Sequence, residues 1–199
     1  MKKDTWSDLY ILAWQRVKEL TNKELLCFVS SKSREVRGLI IQEFHCRPVR
    51  EVFDIAIHLI YQKNAISREA GYLILGQLGA TSEPFTSRPF KEESVPYLIS
   101  GLNFEKATSV KSAIACAIGH LKPLPCSIHN EIIAGLTRYS DEHNESVRIS
   151  VAFAVSGFSA SSPSLKKLLN KLLDDDSHKV REWVKLSIET INTCDNLNP

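Results

Sequence analysis

The chain has 199 residues, of which 43% are hydrophobic and 24% are charged, and its formal net charge is +2. This composition is typical of a globular chain with a core, and it excludes the strongly basic balance of proteins that bind nucleic acid through overall charge. Five cysteines at irregular spacing, with no Cys-x-x-Cys pair, predict a reduced, cytoplasmic chain. The lack of a long uninterrupted apolar run predicts no membrane association.

Apolar residues at helical spacing and capping side chains predict one all-α domain of helix pairs. The first helix places Leu9, Leu12, Ala13 and Val17 on one face and is expected to cap the array. Thr21 begins the next helix with a capping box, and Asn64, Thr108 and Asn144 are among the later predicted caps. In chain order, the predicted units of residues 1–199 are the cap at 1–20, repeats at 21–46 and 47–79, an insertion loop at 80–93, repeats at 94–122, 126–158 and 162–191, and a tail at 192–199.

A motif built on a basic residue recurs in these helix pairs. Arg148 is preceded by Val147 and followed by Val151, Val155 and Phe158, which is the spacing of one buried helical face. Copies of the motif recur at intervals of roughly 31 to 43 residues, the period of two-helix solenoid repeats. The basic positions are Arg37, Arg68, Lys111, Arg148 and Arg181. The predicted fold is therefore a HEAT-like α-α superhelix of about five helix pairs with an N-terminal capping helix.

Three blocks of this pattern resemble a known family. They are Leu-Ile-Leu-Gly-Gln-Leu at 73–78, Glu-Ser-Val-Arg-Ile-Ser-Val-Ala-Phe-Ala-Val at 145–155 and Val-Arg-Glu-Trp-Val at 180–184. In this order and spacing they resemble the HEAT-repeat immunity proteins associated with bacterial Rhs-type and contact-dependent-inhibition toxins. The resemblance implies a monomeric cytoplasmic protein that binds a cognate toxin domain stoichiometrically, without catalysis and without a cofactor.

Residues that bind a partner are expected off the repeat motif, on the helix face opposite to the buried one. Aromatic anchors beside carboxylates on such a face are typical of protein-binding grooves. The alternative is that the helical register drifts and the apolar members pack against neighbouring repeats. The insertion loop is expected to contribute to the surface, although it could equally be a disordered insertion. The predicted partner-binding residues are Gln42, Glu69, Gln77, Ser112, Cys116, His120, Phe153, Glu182, Trp183 and Leu186 on the helices, and Phe85, Arg88 and Phe90 in the loop.

Catalytic and metal sites are not predicted. The six histidines include no His-x-x-x-His pair on one helical face, and the eight glycines form no phosphate-binding loop. The acidic clusters Asp141-Glu142 and Asp174-Asp175-Asp176 fall at predicted turns, where they would cap and solvate helices or mimic phosphates for a basic toxin.

Two other functions stay open. HEAT-like DNA glycosylases grip duplex DNA with basic and aromatic residues on the concave surface. Here that surface is predicted to carry Glu69 and Glu182 and hardly any lysine or arginine, so nucleic acid is the weaker interpretation. The motif's basic residues are expected instead to bridge neighbouring repeat turns. A general assembly scaffold, similar to phycobilin-lyase-like proteins, is the other alternative.

Overall fold

A computed structural model describes residues 5–47, 49–79, 88–158 and 162–197. Within these ranges the secondary structure is helical, and eleven α-helices follow one another with no strand. Their bounds are α1 (Thr5–Lys18), α2 (Asn22–Phe28), α3 (Arg34–His45), α4 (Arg50–Ile60), α5 (Ala65–Gln77), α6 (Lys91–Phe104), α7 (Thr108–His120), α8 (His129–Tyr139), α9 (Glu145–Ala154), α10 (Pro163–Leu173) and α11 (His178–Leu197), with 3-10 turns at Cys126–Ile128 and Val155–Gly157.

The helices form two rows. The inner row consists of α3, α5, α7, α9 and α11, each packed against the next, and the outer helices α6, α8 and α10 likewise pack in sequence. The inner helices pack more closely, as expected on the concave side of a solenoid. The predicted all-α solenoid with an added N-terminal helix is confirmed.

The buried face of each inner helix is the one that the motif predicts. Val151, Val155 and Phe158 are buried, as are Ile114 and Ile118. Their burial joins the two rows into one apolar core that runs from α2 to α11, and burial of aliphatic side chains is the main stabilising contribution to such an array.

Most predicted helix starts carry their expected caps. The Thr21 side chain accepts a hydrogen bond from the Glu24 amide while Glu24 reaches back to the Thr21 amide, and Asn144 accepts from Ser146. Thr108 is an exception, because α7 begins at Thr108 itself and Ala107 is the capping residue. The Glu105 carboxylate accepts from the Lys106 and Ala107 amides, which precede the helix, and the N-cap residue Ala107 makes no side-chain hydrogen bond.

The two ends of the chain depart from the predicted pattern. Leu12 in α1 is 60% exposed and Ala13 is exposed, whereas Val17 packs against the core. The reason is that α1 packs mainly against α3, at the end of the described array. At the other end, α11 continues to Leu197 and includes most of the predicted tail at 192–199, since no proline or glycine follows Ile191 within the helix to end it.

Elsewhere, α6 begins at Lys91, within the range predicted as the insertion loop, and residues 80–87 lie outside the described residues. Within the part of the chain that the structure describes, none of the helices is both long and apolar enough to cross a membrane.

Candidate functional site

The predicted binding residues of the helices occupy the inner row, and their exposure rises toward the C-terminus. Near the N-terminal end, Gln42 is half-buried and accepts a hydrogen bond from the Tyr10 hydroxyl of α1 at 3.0 Å. At the other end, Trp183 is 41% exposed and Leu186 is 54% exposed. Between these ends, the half-buried positions are Glu69, Gln77, Ser112, Cys116, His120 and Phe153, while Glu182 is exposed.

Three rings on consecutive inner helices form a continuous line, which we call the ring row: His120 of α7, Phe153 of α9 and Trp183 of α11. The centroids of His120 and Phe153 lie 4.9 Å apart, and those of Phe153 and Trp183 lie 5.6 Å apart, both in edge-on geometry. Gly119 makes room for the row, because a Cβ there would lie 2.5 Å from the Phe153 ring. The ring row is therefore a built feature of the helix packing, with its Trp183 end open to solvent.

The middle of the inner face is partly occupied by contacts between helices. The Ser112 and Ser150 hydroxyls, on α7 and α9, share a hydrogen bond of 2.7 Å. Burial raises the pKa of the Cys116 thiol, so that thiol is protonated near neutral pH and is a poor nucleophile. The serine pair joins neighbouring repeats, and the ring row and Leu186 supply apolar surface on this face.

A cleft of about 700 Å³ opens where α7 and α9 end. We call it the α7 cleft. Lys122 extends over the Phe153 ring with its Nζ 5.4 Å from the centroid, and it also donates to the Ser156 hydroxyl at 2.7 Å. Arg88 lines the opposite side and donates to the Gly76 carbonyl at the end of α5, at 3.0 Å. Its residues are Arg88, Gly119, His120, Lys122, Pro123, Phe153, Ser156, Gly157, Phe158 and Thr190.

The charges around the α7 cleft lower the pKa of nearby histidines. Burial lowers the pKa of His120, and Arg88 and Lys122 lower it further. Burial also lowers the pKa of His45, to about 4. The Nε2 atom of His45 donates to the Leu73 carbonyl at 3.1 Å. Both imidazoles are therefore neutral at pH 7, and the positive charge of the cleft comes from Arg88 and Lys122.

The three loop residues proposed as contacts separate in the structure. Arg88 reaches the α7 cleft, next to His120 and Phe153. Phe90 instead packs against Phe53 of α4 at 5.0 Å, with the Arg50 guanidinium 4.5 Å from its ring centroid. Phe85 lies outside the described residues. Only Arg88 of the described loop residues therefore joins the inner-face candidates.

The basic residues of the repeat motif lie at the opposite edge, where they hold the turns between paired helices. Arg148 Nε lies 2.7 Å from Asp175 of the next repeat, and its Nη1 donates to the Glu142 and His143 carbonyls. Arg68 pairs with Glu105 in the same way at 2.8 Å. These contacts confirm that the motif bridges neighbouring turns. Arg37 and Arg181 bind turn carbonyls, and Lys111 pairs with Glu142.

Some residues of the acidic turn clusters form ion pairs of the same kind. Asp175 pairs with Arg148, and Asp141 pairs with Lys171. Asp174 and Asp176 stay exposed. Among the described residues no group of three or more metal-ligating side chains lies close enough to hold an ion.

Sequence reasoning missed Lys122 as a site residue. It follows Leu121, the C-cap residue of α7, and precedes two prolines of a Lys-Pro-Leu-Pro segment. Its place beside a ring of the next repeat depends on tertiary packing, so the only available signal was a cation at a helix end.

No protein-family model matches the sequence, and no curated protein matches it either. Among solved structures, YibA of Escherichia coli superposes with a TM-score of 0.73 at 20% identity, over 92% of this chain and 65% of that one. A designed armadillo repeat protein in complex with the peptide (KR)4 gives a TM-score of 0.57 at 11% identity, over 96% and 95% of the two chains. A computationally designed armadillo repeat protein for modular peptide recognition gives 0.55 at 14% identity, again over 96% and 95%. At these identities the similarity concerns the fold, and the protein is a helical-repeat solenoid.

Proposed function

We propose that this solenoid is an immunity protein, which binds a cognate bacterial toxin domain on its inner face and neutralises it without catalysis. The helical-repeat fold suits a protein-binding scaffold, and the designed armadillo neighbours are described as peptide-recognising proteins. The toxin as partner is supported by the resemblance of residues 73–78, 145–155 and 180–184 to immunity proteins. In this proposal the chain acts in the cytoplasm and is monomeric outside the complex.

The observation that carries the proposal is the ring row together with Leu186. Trp183 and Leu186 lie exposed on the same helix, and Trp183 continues the line of His120 and Phe153. Large apolar side chains that stay in water cost free energy unless another surface covers them, and aromatic residues dominate the energetics of protein interfaces. Since the repeat motif does not need these positions for packing, a partner surface is the best account of them.

The nucleic-acid alternative is less well supported by the same face. A protein that tracks a nucleic acid needs a row of free cations. Here the motif's arginines are paired or bound to carbonyls at the opposite edge, and the inner face adds Glu69 and Glu182. A protein partner needs no such row.

The decisive experiment is coexpression with the toxin domain encoded beside the chain's own gene. Wild type should restore growth and elute with the toxin as a one-to-one complex in size-exclusion chromatography with light scattering. The double variant Phe153→Ala/Trp183→Ala should lose protection while its circular dichroism stays helical. Phe104→Ala is a matched control, because Phe104 is 78% exposed at the end of α6, away from the ring row.

Protection by the double variant equal to that of wild type would contradict a role for the ring row. Failure of wild type to protect cells or to bind the toxin would contradict the immunity function itself. Tight, steeply salt-dependent binding to duplex DNA in its place would favour the nucleic-acid alternative.

A further inference from the structure

Glu69 of α5 is a half-buried carboxylate on the inner face, and the fold gives it no cation. Among the described residues, five carboxylates are buried or half-buried, and four of them form an ion pair with a basic side chain. These pairs are Glu43 with Arg47, Glu105 with Arg68, Glu142 with Lys111 and Asp175 with Arg148. Glu69 forms neither an ion pair nor a side-chain hydrogen bond within the part of the chain that the structure describes. Its charge is therefore available to a basic group of another molecule.

The surface beside Glu69 is open on both sides. Gly38, Glu69 and Ser112 each follow the basic residue of their copy of the motif. Their helices α3, α5 and α7 pack side by side, so the three residues are neighbours across the inner face. A Cβ at Gly38 would have nothing within 4 Å, and the Ser112 hydroxyl is directed toward α9, where it bonds to Ser150 at 2.7 Å. Two small residues therefore flank the carboxylate and leave room for a long side chain that enters from the concave side.

We propose that Glu69 binds an arginine side chain of the partner, with the guanidinium between Gly38 and Ser112 and the methylene groups along Leu73. This inference rests on the proposed function and names one chemical group by which the partner would be recognised. Leu73 follows Glu69 by about one helical turn on the same face, and it is itself half-buried. It therefore supplies apolar surface for the stem of the arginine beside the carboxylate that binds its head.

Arginine is the basic residue that fits a half-buried carboxylate best. Its planar guanidinium donates two parallel hydrogen bonds to a carboxylate and is less strongly hydrated than the ammonium group of lysine. The fold already uses this geometry at the turn edge. There, Arg68 binds Glu105 and Arg148 binds Asp175, each through two nitrogen atoms. The partner's arginine would supply to Glu69 the contact that these two carboxylates receive from their own chain.

The position of Glu69 also sets the extent of the contact with the partner. Glu69 lies on α5 and Trp183 on α11, and each of the inner helices α5, α7, α9 and α11 packs against the next. Packed helices lie about 8 to 10 Å apart, so the three steps between α5 and α11 span about 25 to 30 Å. An interface that buries about 800 Å² on each partner has a width of this order. The arginine and the apolar residue that covers Trp183 would therefore lie on opposite sides of one contact surface.

The test uses nuclear magnetic resonance on the isotope-labelled full chain, titrated with a short peptide of alternating arginine and leucine. We expect saturable shifts at the Glu69 side-chain carboxyl and at the Gly38 and Ser112 amides. The same peptide with citrulline, the uncharged analogue of arginine, should bind about tenfold more weakly, since a charge-assisted hydrogen bond contributes roughly that factor. Glu69→Gln keeps the size of the side chain and should cause a similar loss. Gly38→Leu should also weaken binding, because its side chain would fill the space beside the carboxylate.

Glu131→Gln is the matched control, because it removes the same charge from an exposed residue of the outer helix α8. Its affinity for the arginine peptide should equal that of wild type. Absence of shifts at Glu69, equal binding of the citrulline peptide, or wild-type affinity of Glu69→Gln would each overturn the proposal. Saturable binding of a single-stranded oligonucleotide at the same resonances would also overturn it. No toxin enters this titration, so a negative result rejects the arginine site alone, whereas failed toxin binding rejects the immunity function alone.

Discussion

The two edges of the solenoid use positive charge in opposite ways. At the turn edge, which carries Glu105, Glu142 and Asp175, each motif cation binds carbonyls of its own turn or a carboxylate of the next one. At the cleft edge, where the inner helices end, Arg88 and Lys122 surround an aromatic ring and an open volume. The comparison teaches that the cations repeated in the copies of the motif hold the array together through turn contacts, whereas Arg88 and Lys122 lie beside an aromatic ring at the ends of the inner helices.

The same contrast applies to the carboxylates. At the turn edge, burial acts to raise the pKa of Asp175, but hydrogen bonds from Arg148 and the Ser177 amide lower it overall. Burial also acts to raise the pKa of Glu105, but hydrogen bonds from Arg68 and from two backbone amides lower it overall. Both stay ionised and paired at neutral pH. Their pairing contributes to stability, whereas Glu182 on the inner face is exposed and pairs with Lys185 of its own helix.

The strongest test of the comparison replaces an arginine at each edge. Arg148→Gln should lower the free energy of unfolding by about 3 to 4 kcal/mol, because it leaves a carboxylate and two turn carbonyls without their partner in a largely buried site. The side chains of Arg148 and Asp175 are only 16% and 9% exposed. Arg88→Gln should cost about 1 kcal/mol, the contribution of one hydrogen bond. Urea denaturation measures the free energy of unfolding of both variants. Equal losses of stability would contradict the proposed difference between the two edges.

Acidification should destabilise the two edges of the solenoid over different pH ranges. The pKa of His45 in the folded protein, about 4, lies below its ordinary value of 6.5. Between these two pH values the imidazole is protonated in the unfolded chain but not in the folded one. Stability is therefore complete above pH 6.5 and falls as the pH falls toward 4, by on the order of 3 kcal/mol. For Asp175 and Glu105, whose folded pKa values are also lowered, the loss comes at lower pH, as each carboxylate is protonated.

His45→Gln isolates the first of these effects, because a glutamine amide can still donate to the Leu73 carbonyl. Unfolding titrations at a series of pH values should give a flatter profile between pH 6.5 and 4 for the variant, with similar stability at pH 7. An unchanged slope in the variant would show that His45 does not account for the acid sensitivity of the cleft edge.

A glycine pair tests how closely the inner helices must approach behind the cleft. A Cβ at Gly76 would lie 2.5 Å from the Ala117 Cα, a backbone atom that cannot turn aside. Gly76→Ala should therefore cost about 2 kcal/mol through overpacking. Gly38 in α3 has nothing within 4 Å of the corresponding position, so Gly38→Ala should stabilise the protein by about 0.5 to 1 kcal/mol. Thermal unfolding of the two variants checks the difference in sign.

The fold could be predicted from the sequence because the signals that specify it are local. Helical spacing places Val151 and Val155 on one face whatever surrounds them, and Asn64 and Asn144 accept amide hydrogen bonds within their own turns. The predicted cap of α7 was wrong because Thr108 is the first residue of the helix and Ala107 occupies the N-cap position. Leu12 was predicted to be buried because periodicity identifies an apolar face but not whether a neighbour covers it.

The candidate site could be predicted only in part, since it depends on contacts between repeats. The inner-face positions followed from helix geometry, and the exposure of Trp183 and Leu186 agrees with that prediction. Their role as binding residues stays a prediction. Arg88 and Phe90 are two residues apart in one loop, yet one lines the α7 cleft and the other packs against Phe53. No pattern in the sequence separates such neighbours, because the direction of each side chain is decided by helices far away in the chain.

Trp183, one of the two residues on which the binding test depends, should have only a small effect on stability. Trp183→Ala should lower the free energy of unfolding by about 1 kcal/mol, the contribution of its edge-on contact with Phe153, since much of its ring already faces solvent. A double-mutant cycle with Phe153→Ala, followed by urea denaturation, measures that contact directly. A loss of 3 kcal/mol or more, comparable with the estimate for a buried ion pair, would mean that Trp183 belongs to the core. The exposed end of the ring row would then not be a surface for binding a partner.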